Sequence, residues 1–300
     1  MNKYQVILDT DVGGDIDDIW AIGVLLSMEQ IDVKLISVTS GDTEYRARVL
    51  AKLLETIGHD DIPIAVGHTW GKSGDAYPPG TWADYVLSGY KGKVYENAPQ
   101  VLVDTILNSE EETIVIAIGP ATNLSAAVQL NPAITTKSKI IGMFGSIRKG
   151  YNGPPSPEAN VFVDLPSFKT LLFSGWKLDL VPLDSCGFIR LTNEDYQKVY
   201  RANNVFTKTL ITIYEIWDKI WPWGHVKDVV DTQSSILFDI IPIYYLTNPE
   251  WFVTETVTIL VDDEGLTYEE ETGVSVNAVM DIIDSPFVEQ FTADLLANWK

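Results

Sequence analysis

Five carboxylates fall within ten residues of this chain, in the run Asp9-Thr10-Asp11-Val12-Gly13-Gly14-Asp15-Ile16-Asp17-Asp18. The run follows the apolar stretch Tyr4 to Leu8, which reads as a buried first strand, and precedes Trp20 to Leu26, which reads as a helix. It is therefore a strand-to-helix turn, where Gly13 and Gly14 permit φ > 0 and bring backbone close to a ligand. Like charges crowded at one turn repel unless a cation is present or some are protonated. Oxygen-only ligands suit a hard ion such as Ca²⁺ or Mg²⁺ rather than zinc or copper. Acidic residues also complement the dipole of a first helical turn, but that accounts for only one or two of the five.

Composition narrows the partners. A formal net charge of −21 argues against a nucleic-acid backbone or an anionic membrane, since both need basic surface. It also disfavours a polyanionic substrate and leaves a neutral small molecule open. The 300 residues, 46% hydrophobic with 9 Trp and 13 Tyr, can fill a large core. The lone cysteine, Cys186, forms no intrachain disulfide. The sequence as given enters a strand at once, so no signal peptide is expected, and no apolar run reaches membrane-spanning length. A cytoplasmic location is the expectation.

Strand-like and helical runs alternate through the first two thirds. Val33 to Thr39, Ile62 to Val66, Glu112 to Ile118 and Ile140 to Phe144 read as strands, and Glu44 to Ile57 and Gln100 to Asn108 as helices. This alternation predicts an α/β fold, an open and mostly parallel sheet flanked by helices, with a helical C-terminal part. Residues 67–95, rich in Gly, Pro and aromatics, read as a long functional loop. Ala159 to Val163 reads as extended, Lys177 to Leu183 as a strand, and 205–247 as helical with a break at Trp221-Pro222-Trp223-Gly224. Phe252 to Val261 alternates as a strand and Phe287 to Trp299 reads as a closing helix. No repeat or linker interrupts the chain, so residues 1–300 are expected to form one domain. Ligands of open α/β sheets bind beyond the carboxyl ends of strands, where Asp11, Asp42, Thr122 and the segment after Phe144 fall.

Three explanations compete for the acidic run. An EF-hand loop counted from Asp9 has its glycine at Gly14 but Trp20 where a bidentate Glu is required, and fails. A haloacid-dehalogenase-like phosphatase would use Asp9 as nucleophile and Asp11 as acid/base, with Ser40 at the second strand end and Asp262 and Asp263 holding Mg²⁺; it leaves Asp15, Asp17 and Asp18 unexplained. The third explanation covers more of the chain. Asp9-Thr10-Asp11, Gly13 and Asp17-Asp18 resemble the DTDxGxDD signature of the inosine–uridine-preferring nucleoside hydrolase family, with two extra residues in the turn. Gly119-Pro120-Ala121-Thr122-Asn123 resembles its second segment. Asn152, Glu158 and Asn160 reproduce the spacing of its ribose-binding residues, with Asp164 behind them, and Phe238-Asp239 resembles its late metal-binding position.

The resemblance implies a calcium-dependent ribonucleoside hydrolase. Asp11 would be metal ligand and general base; Asp18, Asp239 and the main-chain carbonyl of Thr122 would complete the shell, with Asp17 on a ribose hydroxyl. Asn152, Glu158 and Asn160 would grip the sugar, whose departing base leaves a ribosyl cation that anionic groups stabilise. Some members place a His before the late Asp to protonate the leaving base; here Phe238 stands there, and with Asp42 it fits a purine-preferring variant. Trp70, Trp221, Trp223 and His225 are candidates for a base pocket or lid, His225 being the one candidate acid. Family members are commonly dimers or tetramers. The missing His and the longer turn also leave open a nucleoside-binding protein without turnover.

Overall fold

The first apolar run forms strand β1 (Tyr4–Thr10), buried from Val6 onward. Val6 and Leu8 enter one core and Ile7 the other, as the alternation of a pleated strand requires. The computed structural model describes residues 3–69, 80–151, 153–220, 229–283, 287–297 and 299. After β1 come helix α1 (Asp17–Ser27), β2 (Ile31–Val38), α2 (Thr43–Ile57), β3 (Ile64–Val66), β4 (Val94–Tyr95) and α3 (Ala98–Asn108). Next are β5 (Thr113–Ala117), α4 (Thr122–Leu130), β6 (Ser138–Gly142), α5 (Ala159–Val163), α6 (Leu165–Leu172), β7 (Leu178–Leu180) and α7 (Leu183–Cys186). The chain then runs through α8 (Asn193–Arg201), α9 (Val205–Ile220), α10 (Ile241–Thr247), β8 (Phe252–Val261), β9 (Thr267–Glu269), β10 (Val274–Ile282) and α11 (Phe287–Leu296).

Among the described residues these strands form one ten-stranded sheet in the order β4-β3-β2-β1-β5-β6-β7-β10-β8-β9. Pairing is parallel from β4 across to the β7–β10 pair, and antiparallel for β10–β8 and β8–β9. Leu50, Tyr196, Phe206, Tyr244 and Phe291 pack on one face; Leu102, Leu124 and Phe168 pack on the other. The α/β architecture expected from the alternation is thus present, with helices on both faces.

Strand order reverses between β1 and β5: the chain leaves β1 toward β2 and, later, leaves β5 toward β6. Connections departing in opposite directions open a crevice beyond the strand ends. The turn after β1 and the Gly119–Thr122 segment after β5 meet there, and the closeness is physical. A Cβ built on Gly119 would lie 2.8 Å from the backbone N of Asp11.

Three expectations need correction. Ala159–Val163 is a helix, not an extended segment, because the Glu158 side chain accepts the backbone N–H groups of Asn160 and Val161 as an N-cap. Glu158 and Asn160 are therefore not neighbours on one face of a strand. Helix does not continue through 205–247: α9 ends at Ile220, and a separate 3-10 turn at Phe238–Ile240 leads into α10. Finally, β4, β9 and β10 were not anticipated; β10 joins the parallel and antiparallel parts of the sheet.

Candidate active site and metal centre

The sequence places two adjacent aspartates at the start of α1, and the fold brings a third to them. Asp17, Asp18 and Asp239 are all buried, each with a carboxylate oxygen within 4.8 Å of the others'. Asp239 arrives on the Phe238–Ile240 turn, which packs on α1. Thr10, the last residue of β1, donates its hydroxyl to Asp18 Oδ1 and accepts the backbone N–H of Val12 at 3.1 Å, tying strand end, turn and helix together. Burial first, then repulsion by neighbouring carboxylates, pushes Asp17, Asp18 and Asp239 well above the usual carboxylate range. Buried oxygens that must otherwise take up protons fit a hard divalent cation, which would replace the protons and cancel the repulsion.

Asp11 does not join that group of three. Its Oδ2 lies 3.6 Å from Nη2 of Arg46, a guanidinium whose side chain is 3% exposed. Arg46 also donates from Nε to the Ser40 carbonyl at 2.7 Å and from Nη1 to the Val12 carbonyl at 3.2 Å. Asp11 still repels Asp18 and Asp239, so it borders the cluster. The turn is held from α2 at a second point: the Tyr45 hydroxyl donates to the Gly13 carbonyl at 3.2 Å. Gly13 has φ +98°, and a Cβ there would lie 2.9 Å from the Tyr45 ring, so both backbone and packing require glycine. Nothing in the sequence marked Arg46, which reads as one charge among several on an amphipathic helix.

Asp9 has a different task. It is fully buried, its Oδ1 accepting from the Ser37 hydroxyl at 2.5 Å and the Asn123 amide at 2.8 Å, so it bolts β1 to β2 and α4. Burial pushes it up to about 7, and its Oδ2 has no partner. A carboxylate so enclosed is no nucleophile for an incoming phosphate. Asp262 accepts the backbone N–H groups of Glu264 and Leu266, and Asp263 is an exposed partner of Lys169. The constellation expected of a Mg²⁺ phosphatase is therefore not assembled.

Glu158 is 1% exposed and accepts from the backbone N–H groups of Gly145, Asn160 and Val161 at 2.7–3.1 Å. Burial outweighs these bonds and pushes it up to about 7. Asn160 donates to the Met143 carbonyl at 3.1 Å. Both residues are thus fixed at the end of β6. Thr122 opens α4, and its hydroxyl donates to Asp164 at 2.6 Å; Asp164 in turn caps α6. Phe238 is half-buried and meets Tyr151 edge to face at 5.8 Å between ring centres. Asp42 caps α2, its Oδ1 accepting the Tyr45 N–H at 2.9 Å, so one of its oxygens is committed to the helix. Asn152, Trp70, Trp221, Trp223 and His225 lie outside the described residues.

The acidic centre lies at the switch point, and Glu158 and Asn160 are held just beyond β6. Residues 6–289 match the model of the inosine-uridine preferring nucleoside hydrolase family. The chain belongs to that family. Its members are hydrolases acting on N-glycosyl compounds. A curated relative, a probable uridine nucleosidase 1 of Oryza sativa subsp. japonica, is 25% identical over 89% of this chain and 83% of its own. Among solved structures, a plant nucleoside hydrolase superposes with a TM-score of 0.82 at 22% identity, covering 98% of this chain and 99% of that one. A purine-preferring ribonucleoside hydrolase from Gardnerella vaginalis gives 0.77 at 19% identity, covering 97% and 98%. Family membership rules out the phosphatase reading. Among the described residues no helix is long and apolar enough to cross a membrane.

Proposed function

We propose that this chain is a single-domain, calcium-dependent ribonucleoside hydrolase, splitting the N-glycosidic bond to free base and ribose. The observation that carries the reading is the buried Asp17–Asp18–Asp239 group beside Asp11, at the crevice where the sheet changes direction. Asp18, Asp239 and Asp11 are the side chains proposed to hold Ca²⁺, with the Thr122 carbonyl as main-chain ligand. Asp17 stands close enough to serve the metal or a ribose hydroxyl. When bound, the ion supplies a template for ribose hydroxyls and an acidified water. Asp11 takes the proton of the attacking water as general base. Glu158 and Asn160, rigidly held by backbone contacts, grip the sugar. The negative field of the site favours the oxocarbenium character that develops as the base departs.

The base is the finer question. The Phe238–Tyr151 edge offers a ring face for stacking and supports a purine; Asp42 supports it less, because capping α2 already occupies one oxygen. The curated relative named above is a probable uridine nucleosidase, which supports a pyrimidine. Release of reducing sugar from inosine, guanosine, adenosine, uridine and cytidine, with and without chelator, tests both levels. Chelator-sensitive release from any of them supports the reaction, and faster turnover of uridine than inosine removes the purine preference. No release with calcium demonstrably bound would leave a nucleoside-binding protein instead. An assembly of two or four copies is part of the same proposal, read by sedimentation.

A further inference from the structure

Arg46 is 2% exposed, and a buried guanidinium persists only where its donors and its charge are both answered. Here three groups answer it: the Ser40 carbonyl at the end of β2, the Val12 carbonyl in the acidic turn, and the Asp11 carboxylate. Ser40 itself has φ +69°, a left-handed backbone that costs energy in a non-glycine residue. The guanidinium thus joins the loops after β1 and β2 through a planar fork. It also borders the lengthened stretch of the turn, since a Cβ built on Gly14 would lie 3.5 Å from Arg46 Nη1. Its charge reaches Asp18 as well as Asp11.

We propose that Arg46 is a positioning residue and internal counter-cation of the catalytic turn, orienting Asp11 while competing with the bound metal for that carboxylate. The proposal rests on the reading of Asp11 as base and metal ligand. Two consequences of opposite sign follow. Removing the charge strengthens attraction of a divalent cation to the remaining carboxylates. Removing the fork frees Asp11 and Val12 from their register, so turnover suffers from lost orientation. A residue that merely held the loop together would weaken metal binding and turnover alike.

The test compares the full-length parent, Arg46→Gln and Arg46→Lys by calorimetric titration of calcium into the chelator-stripped protein, alongside steady-state ribose release. Arg46→Gln is expected to bind calcium about tenfold more tightly, or better, on losing one nearby charge. Its kcat should fall about tenfold or more with KM within about threefold. Arg46→Lys keeps the charge and loses the planar fork. It should bind calcium within about threefold of the parent and still lose kcat. Calcium binding by Arg46→Gln no tighter than the parent's would overturn the proposal. So would a parental kcat in either variant, and if Arg46→Gln fails to fold, Arg46→Lys alone decides through kcat. A parent without ribose release would sink the proposed function, while the calorimetric comparison would still judge Arg46.

Discussion

Asp9 and Glu158 are pushed up to about 7 from 3.8 and 4.5, chiefly by burial. Across the interval between those values the folded chain keeps protons that the unfolded chain has released. Folded protein then binds more protons than unfolded, so stability falls as pH rises through that window. The Asp17–Asp18–Asp239 group acts in the same direction. In chelator, the melting midpoint is expected to drop between about pH 4.5 and about pH 7, and saturating calcium should remove the part of the drop that the Asp17–Asp18–Asp239 group contributes. A midpoint that climbs over that range in chelator would contradict the assignment of these groups. Asp42 separates a cap from a contact: Asp42→Ala should cost about 1 kcal/mol of stability by denaturant melting, with KM for inosine unchanged. A KM raised about tenfold would place Asp42 on the base instead.

At the scale of elements, α1 lies so close to α9 that Gly23 has no room for a side chain. A Cβ there would fall 2.0 Å from Cζ of Phe206, a ring that is fully buried and stacked on Trp299 at 4.7 Å. Alanine gains up to about 1 kcal/mol of helix propensity over glycine, whereas overpacking a dense core costs about 1–3 kcal/mol. Gly23→Ala should therefore destabilise, by about 1–2 kcal/mol in urea melts. Partial recovery in the Gly23→Ala, Phe206→Leu double variant would identify the ring as the obstacle; a Gly23→Ala chain as stable as the parent would refute the contact. The sequence shows β1, α1, β2 and α2 because apolar period, turn residues and caps agree there. It also carries β10, where Ser275 and Asn277 alternate with Val274, Val276 and Ala278 in the period of a half-buried strand, a pattern the reading passed over, and it misleads at α5. There the Val161-Phe162-Val163 run favours a strand locally, but Glu158 capping the chain from outside the run wins. Arg46 is hidden for a related reason: only the fold shows that a charged residue of α2 turns inward beneath another strand's loop.

Across the whole molecule, the site was legible to the extent that its residues are contiguous or tied by a family spacing. Asp17 and Asp18 declare themselves as neighbours, but Asp239, more than two hundred residues away, was found only through resemblance. The fold explains why they meet. A parallel sheet that reverses order between β1 and β5 leaves a crevice at the carboxyl ends, and the Phe238–Ile240 turn packs on α1 to deliver the third carboxylate into it. Concentrating so much negative charge in one buried place destabilises an empty site and favours both a cation and a positively charged transition state. The most direct test measures ribose release by the parent and by Asp11→Asn, each with calcium and with chelator. Release by the parent that chelator abolishes is expected, with a fall of about a hundredfold or more in kcat for Asp11→Asn with calcium still bound. Release that ignores chelator, or an Asp11→Asn variant that turns over at the parental rate, would contradict that expectation.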